Sequence, residues 1–404
     1  MAMSPRLLLY SFCSLLPLLR SSDSKAQSSF ESGFPIAKFV TSFPFQQFSG
    51  GIMVVRATLD NFPDSLNFIM DTGSGGISLD SITAERLHLT AVLSDRTVRG
   101  IAGIKPVRYI YHQTLHLPGL SVDNMDFHTN DYGILTQVYG VQIDGIIGYS
   151  FLRQFILEIN SDSLLMTVYR PGRMRYPRGS YIMRPDFTTL PISKLTLRDD
   201  HKSDGSFFYD TGAGLCFLMS KKFEEDSAIL ARGHKPVMTE AEGLGGKTLM
   251  SLTVVRTLRV GPYLFRKVPA YILDDQYNVT AYPNIEGLLG NDLLRRFNTI
   301  INYPFREIDM IPNSHFKDPF DYSYTGMSIY YIDGKVMIEE VQDGSPAYEA
   351  GVQSGDELFA VGTNFSHNIQ IYKNLLQTAG NRVKLLVMRE GKPVMITLRV
   401  RKIS

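Results

Sequence analysis

The sequence is poor in cysteine, in net charge and in long apolar segments. Only Cys13 and Cys216 occur among its 404 residues, which excludes a disulfide framework and a cysteine-rich zinc site. Lysine and arginine (41) nearly balance aspartate and glutamate (40), giving a net charge of +1, so no overall field attracts nucleic acid or an anionic membrane. No apolar segment reaches the roughly 18 residues of a membrane-spanning helix. We therefore expect a protein without a stable membrane span that folds by packing.

The first 26 residues have the layout of a signal peptide. Arg6 precedes an apolar run, Leu7 to Leu19, whose 13 residues are too few to span a bilayer core. A polar stretch follows, with small residues at Ser24 and Ala26. We expect cleavage after Ala26 and export to the periplasm or the extracellular space; an uncleaved anchor is the alternative.

Short alternating apolar segments, separated by Gly, Pro, Asn and Asp, dominate from about residue 50 to 312. Segments 52–59 and 252–260 are examples, and such patterns are typical of strands in antiparallel hairpins. Brief helical patterns interrupt them, as at 81–89, where Ser81 can cap the first turn. The predicted class is mostly β.

An internal repeat organises this region. The first copy contains Asp71-Thr72-Gly73-Ser74-Gly75 and then Gly145-Ile146-Ile147-Gly148; the second contains Asp210-Thr211-Gly212-Ala213-Gly214 and then Gly287-Leu288-Leu289-Gly290. The aspartate precedes the first glycine of the later motif by 74 residues in one copy (71 to 145) and 77 in the other (210 to 287). One unit has therefore been duplicated.

The chain divides into a leader, two lobes and a third domain. The expected ranges are 1–26 for the leader, 27–170 for the first lobe, 171–185 for a connector, 186–315 for the second lobe and 322–404 for the third domain. The connector is rich in Arg, Pro and Gly, a composition that suits an exposed linker. An irregular stretch through Asp321 separates the second lobe from the third domain.

The repeated aspartates suggest hydrolysis. Two loops that meet across a pseudo-two-fold axis would bring Asp71 and Asp210 close enough to share one proton. The ionised carboxylate could then activate a water, while the protonated one donates to a carbonyl oxygen. Such chemistry needs no cofactor. The alternative is that both loops are only structural turns.

The paired Asp-Thr-Gly loops and the later apolar-apolar-Gly motifs resemble those of aspartic proteases over about residues 50–312. Both loops lie in one chain, as in pepsin-like enzymes, but the lobes are nearer retroviral-protease size. The resemblance implies two pseudo-symmetric retropepsin-like β lobes, an endopeptidase active as a single chain, and peptide or protein substrates. It also assigns supporting roles in the catalytic loops to Thr72, Gly73, Ser74, Thr211 and Gly212, with the two threonines tying the loops together by hydrogen bonds.

The resemblance also implies glycine-rich hairpins, or flaps, that close over the substrate. The candidates are Gly100, Ile101, Ala102 and Gly103 in the first lobe and Gly243, Leu244, Gly245 and Gly246 in the second. Neither segment contains the tyrosine of a pepsin-like flap, so a pair of flaps similar to a retroviral dimer is expected. Ordinary hairpin turns are the alternative.

One asymmetry separates the two catalytic loops. Ser74 occupies the third position after Asp71, whereas Ala213 occupies it after Asp210. In the family a hydroxyl there can donate to the carboxylate, which favours the ionised form. We therefore expect Asp71 to stay ionised and Asp210 to hold the proton.

Residues 324–402 resemble a bacterial PDZ domain, a small α+β module. The candidate peptide-binding residues are Thr325, Gly326, Met327, Ser328 and Ile329, and the segments 344–351 and 354–361 support the match. The resemblance implies that peptide C-termini bind through backbone N–H groups and add as a strand. An unrelated small β-rich module is the alternative.

Other chemistries lack their motifs. His112 and His116 lie four apart in a strand pattern, which places them too far apart for easy metal chelation. No metalloprotease, nucleophile-elbow, phosphate-loop or basic-aromatic motif occurs, and Cys216 is typical of a buried core thiol. We expect no metal, no cofactor and no nucleic-acid partner. A peptide-binding scaffold of the cell envelope whose lobes bind without cutting is the second hypothesis for function.

Overall fold

A computed structural model describes residues 35–100, 103–187, 189–230, 234–243, 246–274 and 284–403. The predicted leader and the flap residues Ile101, Ala102, Leu244 and Gly245 lie outside the described residues. Strands dominate the described chain, which confirms the mostly β fold class.

In its described residues, the first lobe contains eleven strands and three short α-helices. The strands are β1 (Lys38–Pro44), β2 (Gln46–Gln47), β3 (Met53–Leu59), β4 (Leu66–Met70), β5 (Ile77–Asp80), β6 (Val92–Gly100), β7 (Gly103–Leu117), β8 (Leu120–Asn130), β9 (Gly145–Ile147), β10 (Ile156–Asn160) and β11 (Leu165–Arg170). The helices are α1 (Ser81–Arg86), α2 (Gly133–Tyr139) and α3 (Tyr149–Leu152).

The cap of α1 differs from the expectation by one residue. Asp80 caps the helix, because its carboxylate accepts a hydrogen bond from the Thr83 N–H at 3.1 Å. Ser81 is the first helical residue, and its hydroxyl donates to the Asn130 carbonyl at 2.9 Å. The prediction that Ser81 caps this turn was wrong.

The second lobe repeats this plan with fewer helices. Its strands are β12 (Tyr181–Met183), β13 (Asp186–Phe187), β14 (Pro191–Arg198), β15 (Lys202–Asp210), β16 (Phe217–Ser220), β17 (Val237–Gly243), β18 (Gly246–Val260), β19 (Tyr263–Leu273), β20 (Gly287–Gly290), β21 (Phe297–Asn302) and β22 (Glu307–Pro312). Its helices are α4 (Lys221–Ser227) and α5 (Asn291–Leu294).

Each lobe is built on an eight-stranded sheet with the same topology. The strand orders are β2-β3-β4-β9-β5-β8-β7-β6 and β13-β14-β15-β20-β16-β19-β18-β17. In both sheets the strand before the Asp-Thr-Gly loop pairs in parallel with the later apolar-apolar-Gly strand, β4 with β9 and β15 with β20. The repeat seen in the sequence is therefore a duplicated fold.

A six-stranded sheet joins the lobes, in the order β1-β11-β10-β21-β22-β12. Its centre is the antiparallel pair β10 and β21, one strand from each lobe. The connector contributes β12, and Met183 is buried, so segment 171–185 is only partly an exposed linker. The two lobes thus share one hydrophobic core.

The third domain is a five-stranded sheet with two helices and a separate two-stranded ribbon. Its strands are β23 (Ser323–Tyr324), β24 (Met327–Ile332), β25 (Lys335–Val341), β26 (Glu357–Val361), β27 (Arg382–Arg389), β28 (Lys392–Arg399) and β29 (Arg401–Lys402). Its helices are α6 (Pro346–Glu349) and α7 (Ile369–Leu376). The sheet order is β24-β25-β26-β27-β28, which leaves β24 at an edge.

A buried arginine holds the segment that leads from the second lobe to the third domain. Arg296 is 1% exposed, and its guanidinium donates to the carbonyls of His315, Asp318 and Pro319 while lying 4.1 Å from the centre of the Phe320 ring. These bonds fix the path of residues 315–320.

Substituting this arginine should destabilise the protein. Arg296→Met leaves three carbonyl groups without their donor, so we expect the free energy of unfolding to fall by roughly 2–4 kcal/mol. Urea denaturation measures the change, with the exposed Arg198→Met as the control. Equal midpoints for the two variants would contradict the anchoring role.

Candidate active site

The two aspartates lie at equivalent ends of the parallel strand pairs. The Asp71 N–H donates to the Ile147 carbonyl at 3.0 Å, and Asp210 pairs with Gly290. The glycine of the later motif passes under the loop, since a Cβ atom at Gly290 would lie 2.1 Å from the Leu215 carbonyl oxygen. The apolar-apolar-Gly motifs therefore support the loops by packing.

Four hydrogen bonds tie the two loops together. The Thr72 N–H donates to Thr211 Oγ1 at 3.1 Å, and the Thr211 N–H donates to Thr72 Oγ1 at 3.0 Å. Each hydroxyl donates in turn to the opposite strand, Thr72 to the Tyr209 carbonyl (2.6 Å) and Thr211 to the Met70 carbonyl (3.1 Å). Both threonines are buried, so this network sets the distance between the aspartates.

The carboxyl groups of Asp71 and Asp210 lie within hydrogen-bond reach of each other. Asp71 Oδ1 accepts the Gly73 N–H at 2.6 Å. Asp210 Oδ1 accepts the N–H groups of Gly212 (2.8 Å) and Ala213 (3.1 Å). The loop backbone thus orients both carboxyl groups toward the space between the lobes.

The pair favours a single shared proton. Burial raises the pKa of both carboxyl groups, and the negative charge of Asp210 raises the pKa of Asp71 further, to well above its usual range. The two N–H donors at Asp210 oppose the effect of burial there. The two carboxyl groups therefore hold one proton between them.

The hydrogen bond behind the expectation drawn from Ser74 is not found. Among the described residues, the Ser74 hydroxyl donates to neither carboxylate, and only its backbone N–H favours the charged form of Asp71. The premise that this hydroxyl stabilises an ionised Asp71 was therefore wrong. The pKa values of Asp71 and Asp210 are set by burial, by the contact between the two carboxyl groups and by the backbone N–H groups of their loops.

The glycines of the two loops permit this close approach. A Cβ atom at Gly212 would lie 2.2 Å from Asp71 Cγ, and one at Gly73 would lie 2.5 Å from Asp210 Cγ. Each carboxyl group therefore rests against the glycine of the opposite loop.

Gly212→Ala should accordingly damage the site. Its methyl group must displace the Asp71 carboxyl group, and a displacement near 1 Å costs on the order of a hundredfold in rate. Gly75→Ala is a matched control, because its Cβ would meet no atom closer than 3.8 Å, in Thr189. Comparing kcat/KM for peptide cleavage tests this, and similar values for both variants would contradict it.

A cleft of about 450 Å³ opens above the aspartates. Its walls are mainly apolar and aromatic, with Val98, Val107, Tyr109 and His128 on the side of the first hairpin and Ala241, Glu242 and Met250 on the side of the second. Tyr132, Leu135 and Tyr139, from the α2 region, complete the wall. An extended apolar peptide fits such a surface.

The two predicted flaps are hairpins on either side of this cleft. β6 and β7 pair up to Gly100 and Gly103, and β17 and β18 pair up to Gly243 and Gly246. Gly100 and Gly243 both line the cleft. The tip residues between them lie outside the described parts of the chain.

Sequence reasoning missed several residues of the cleft wall. His128, on β8, is largely buried beside the Asp71 loop, and burial lowers its pKa to about 4, so the ring is neutral above that pH. Tyr139 and Glu242 also line the cleft. These residues belong to no motif, and only the folded sheets bring them together.

The candidate peptide-binding residues of the third domain lie in the loop between β23 and β24 and at the start of β24. Thr325 and Gly326 form the loop, in which the Thr325 carbonyl accepts the Ala347 N–H at 2.9 Å. Gly326 has φ +69° and packs on Ser345, where a Cβ atom would approach to 2.1 Å. Met327, Ser328 and Ile329 follow on edge strand β24, which pairs only with β25 among the described strands.

The third domain packs directly against both lobes. Tyr330 on β24 is fully buried in an apolar cluster with first-lobe residues that include Ile52, Tyr132 and Val138. Helix α7 adds polar contacts to the end of α2, because Lys373 Nζ donates to the Val138 carbonyl at 2.8 Å and Gln370 Nε2 to the Tyr139 carbonyl at 3.1 Å. The third domain therefore packs behind α2, whose residues form part of the cleft wall.

The histidines dismissed as metal ligands bind separate partners. His112 Nδ1 lies 2.6 Å from Asn124 Oδ1, and His116 Nδ1 lies 2.7 Å from Ser121 Oγ. Across the described ranges, no group of three or more His, Cys, Asp or Glu residues is placed to hold a metal ion. Within the same ranges, no helix has the length and apolar character needed to cross a membrane.

Comparison with known families gives two matches. Residues 55–151 and 195–293 each match the family model described as aspartyl protease, and residues 337–390 match a PDZ domain model. No curated protein matches the chain significantly. The two protease-family segments contain Asp71 and Asp210, one in each repeat.

Proposed function

Because the chain carries two aspartyl protease repeats followed by a PDZ domain, we propose that it is an aspartic endopeptidase. The observation that carries this proposal is the buried pair of Asp71 and Asp210, within hydrogen-bond reach of each other at the base of a peptide-sized cleft. A buried carboxyl pair is costly to stability unless it has a function.

The geometry supports a general acid–base mechanism. With the shared proton placed on Asp71, the ionised Asp210 takes a proton from a water that attacks the peptide carbonyl carbon, while Asp71 donates its proton to the carbonyl oxygen. The tetrahedral intermediate then collapses as the amine leaves with a proton from Asp210, and a hydroxyl proton of the intermediate returns to Asp71. The pair ends in its starting state with one C–N bond cleaved.

A peptide library tests the proposal against the scaffold hypothesis. The full chain, without the leader, is incubated with unstructured peptides, with and without a pepstatin-like transition-state mimic. Cleavage that the mimic blocks supports the protease. Binding of peptides without cleavage, from mildly acidic to neutral pH, would favour the non-cleaving scaffold.

Three further features belong to the proposal. Both aspartates lie in one chain, so activity should persist on dilution and not require a dimer. The N-terminal segment supports export to the periplasm or the extracellular space. The position of β24 at the edge of its sheet supports binding of peptide C-termini by the PDZ domain, on a substrate or on a partner.

A further inference from the structure

The described cleft lining contains one carboxyl side chain besides the catalytic pair. Among the described residues that line it, Glu242 is that side chain, and lysine and arginine are absent. The rest of the wall is mainly apolar and aromatic, with polar side chains at Ser74, Thr97 and Asn130. Burial raises the pKa of Glu242, and the Tyr330 hydroxyl and the positive charges of Lys373 and Lys247 oppose that effect. A substrate that enters this cleft therefore meets one carboxyl group in a mainly apolar surface.

The PDZ domain holds Glu242 in place. The Tyr330 hydroxyl donates to Glu242 Oε1 at 2.5 Å and also lies 2.7 Å from Glu240 Oε2. Glu242 Oε2 has no hydrogen-bond partner among the described residues. One carboxylate oxygen is thus anchored and the other is left for a ligand.

The nearby lysines are engaged elsewhere. Lys247 lies 3.5 Å from Glu240 Oε2 and stacks over the Tyr330 ring at 4.1 Å. Lys373 directs its ammonium group to the Val138 carbonyl. Lys373 and Lys247 act on Glu242 from a distance, and no ion pair within 4.0 Å joins its carboxyl group to a lysine or arginine of the described chain.

We infer that Glu242 is a specificity-determining residue, which selects substrates with a lysine or arginine side chain at the subsite beside the second flap. The inference rests on the proposed proteolytic function and names its substrate class. A long basic side chain suits the site, because its methylene stem covers apolar wall while its cationic end reaches the carboxylate. An acidic side chain at the same position is repelled.

Matched peptides test the inference. Sets that differ only by Lys, Gln or Glu at one position at a time are assayed for kcat/KM with the full-length enzyme. At one position we expect Lys to exceed Gln by on the order of tenfold to a hundredfold, and Glu242→Gln should remove that preference. Glu240→Gln is the matched control, because it removes a charge from the same strand outside the cleft lining and should keep the preference.

A second variant separates positioning from folding. Tyr330→Phe removes only the hydroxyl that anchors Glu242, so we expect the ratio of Lys to Gln cleavage to fall while the Gln peptide is cleaved as before. A preference that survives Glu242→Gln, or the absence of any position that favours Lys, would overturn the inference while leaving the protease intact.

A peptide-binding assay tests the inference even if the wild-type chain cleaves none of the peptides. The same peptides are labelled and titrated into Asp210→Asn, with and without Glu242→Gln. Tighter binding of the Lys peptide that depends on Glu242 supports the inference, and equal binding of the Lys and Gln peptides overturns it. Failure of the proposed activity is thereby distinguished from failure of the specificity.

Discussion

Asp71→Asn and Asp210→Asn should each lower kcat for peptide cleavage by at least about a thousandfold. One carboxyl group must donate a proton and the other must accept one, so neither can replace its partner. Since the two act as a unit, the double variant should be no slower than the worse single variant. Single-turnover assays measure these rates. Near-normal activity in either variant would contradict the proposed mechanism.

The same substitutions should raise stability at neutral pH. The pKa of Asp71 is raised by burial and by Asp210, so the native state binds more protons than the unfolded state above about pH 4. Stability of the parent therefore falls as pH rises from about 4 through the raised pKa. Asp71→Asn removes this loss, so its free energy of unfolding should exceed that of the parent at pH 7.

Urea denaturation at pH 7 and pH 4 measures this gain. It should be largest at pH 7 and should shrink toward pH 4, which is close to the ordinary aspartate pKa of 3.8, because the unfolded chain then also binds part of the proton. Asp186→Asn, at an exposed position on β13, serves as the control and should change stability little at either pH. A gain of the same size at both pH values would show that packing, and not the charge, is responsible.

Features that depend on short-range sequence patterns were predictable. The Asp-Thr-Gly loops and the later apolar-apolar-Gly motifs are fixed by glycine sterics and by pairing within one repeat, and a duplication makes them conspicuous. The mostly β class followed from the alternation of apolar residues, which is visible in β14 as buried and exposed positions in turn.

Features that depend on long-range packing were not predictable. The Ser74 hydroxyl donates to neither carboxyl group among the described residues, and its position in the sequence could not show this. The sequence has no local pattern that indicates a six-stranded sheet shared by both lobes, because β10 and β21 have the apolar patterns of ordinary strands. The contacts of Tyr330 with Glu240 and Glu242 join residues about ninety positions apart.

Removing residues 322–404 should destabilise both lobes and impair cleavage of even short peptides. A third domain that follows an irregular stretch of chain suggests an appendage whose loss would spare the cleavage of short peptides. In the structure, however, Tyr330 is buried against the first lobe, while Tyr324 and Ile403 pack against Leu252 of the second. Truncation would expose these surfaces, and each large apolar side chain uncovered costs about 1.5–3 kcal/mol. The total approaches the 5–15 kcal/mol net stability of a typical domain.

A point variant in the full-length chain tests the interface between the PDZ domain and the first lobe without deleting a domain. Tyr330→Ala should lower the free energy of unfolding by roughly 3–5 kcal/mol, as for other buried aromatic side chains. Met395→Ala, at a position that is 64% exposed in the same domain, should change it by less than about 0.5 kcal/mol. Thermal and urea unfolding of the truncated chain and of both variants, together with kcat/KM on a short peptide, measure the effect. If the truncated chain keeps the parent's melting temperature and kcat/KM, the PDZ domain is a passive appendage. If the melting temperature and kcat/KM fall together, the packing of the PDZ domain against the lobes holds β17 and the cleft wall in the positions that cleavage requires.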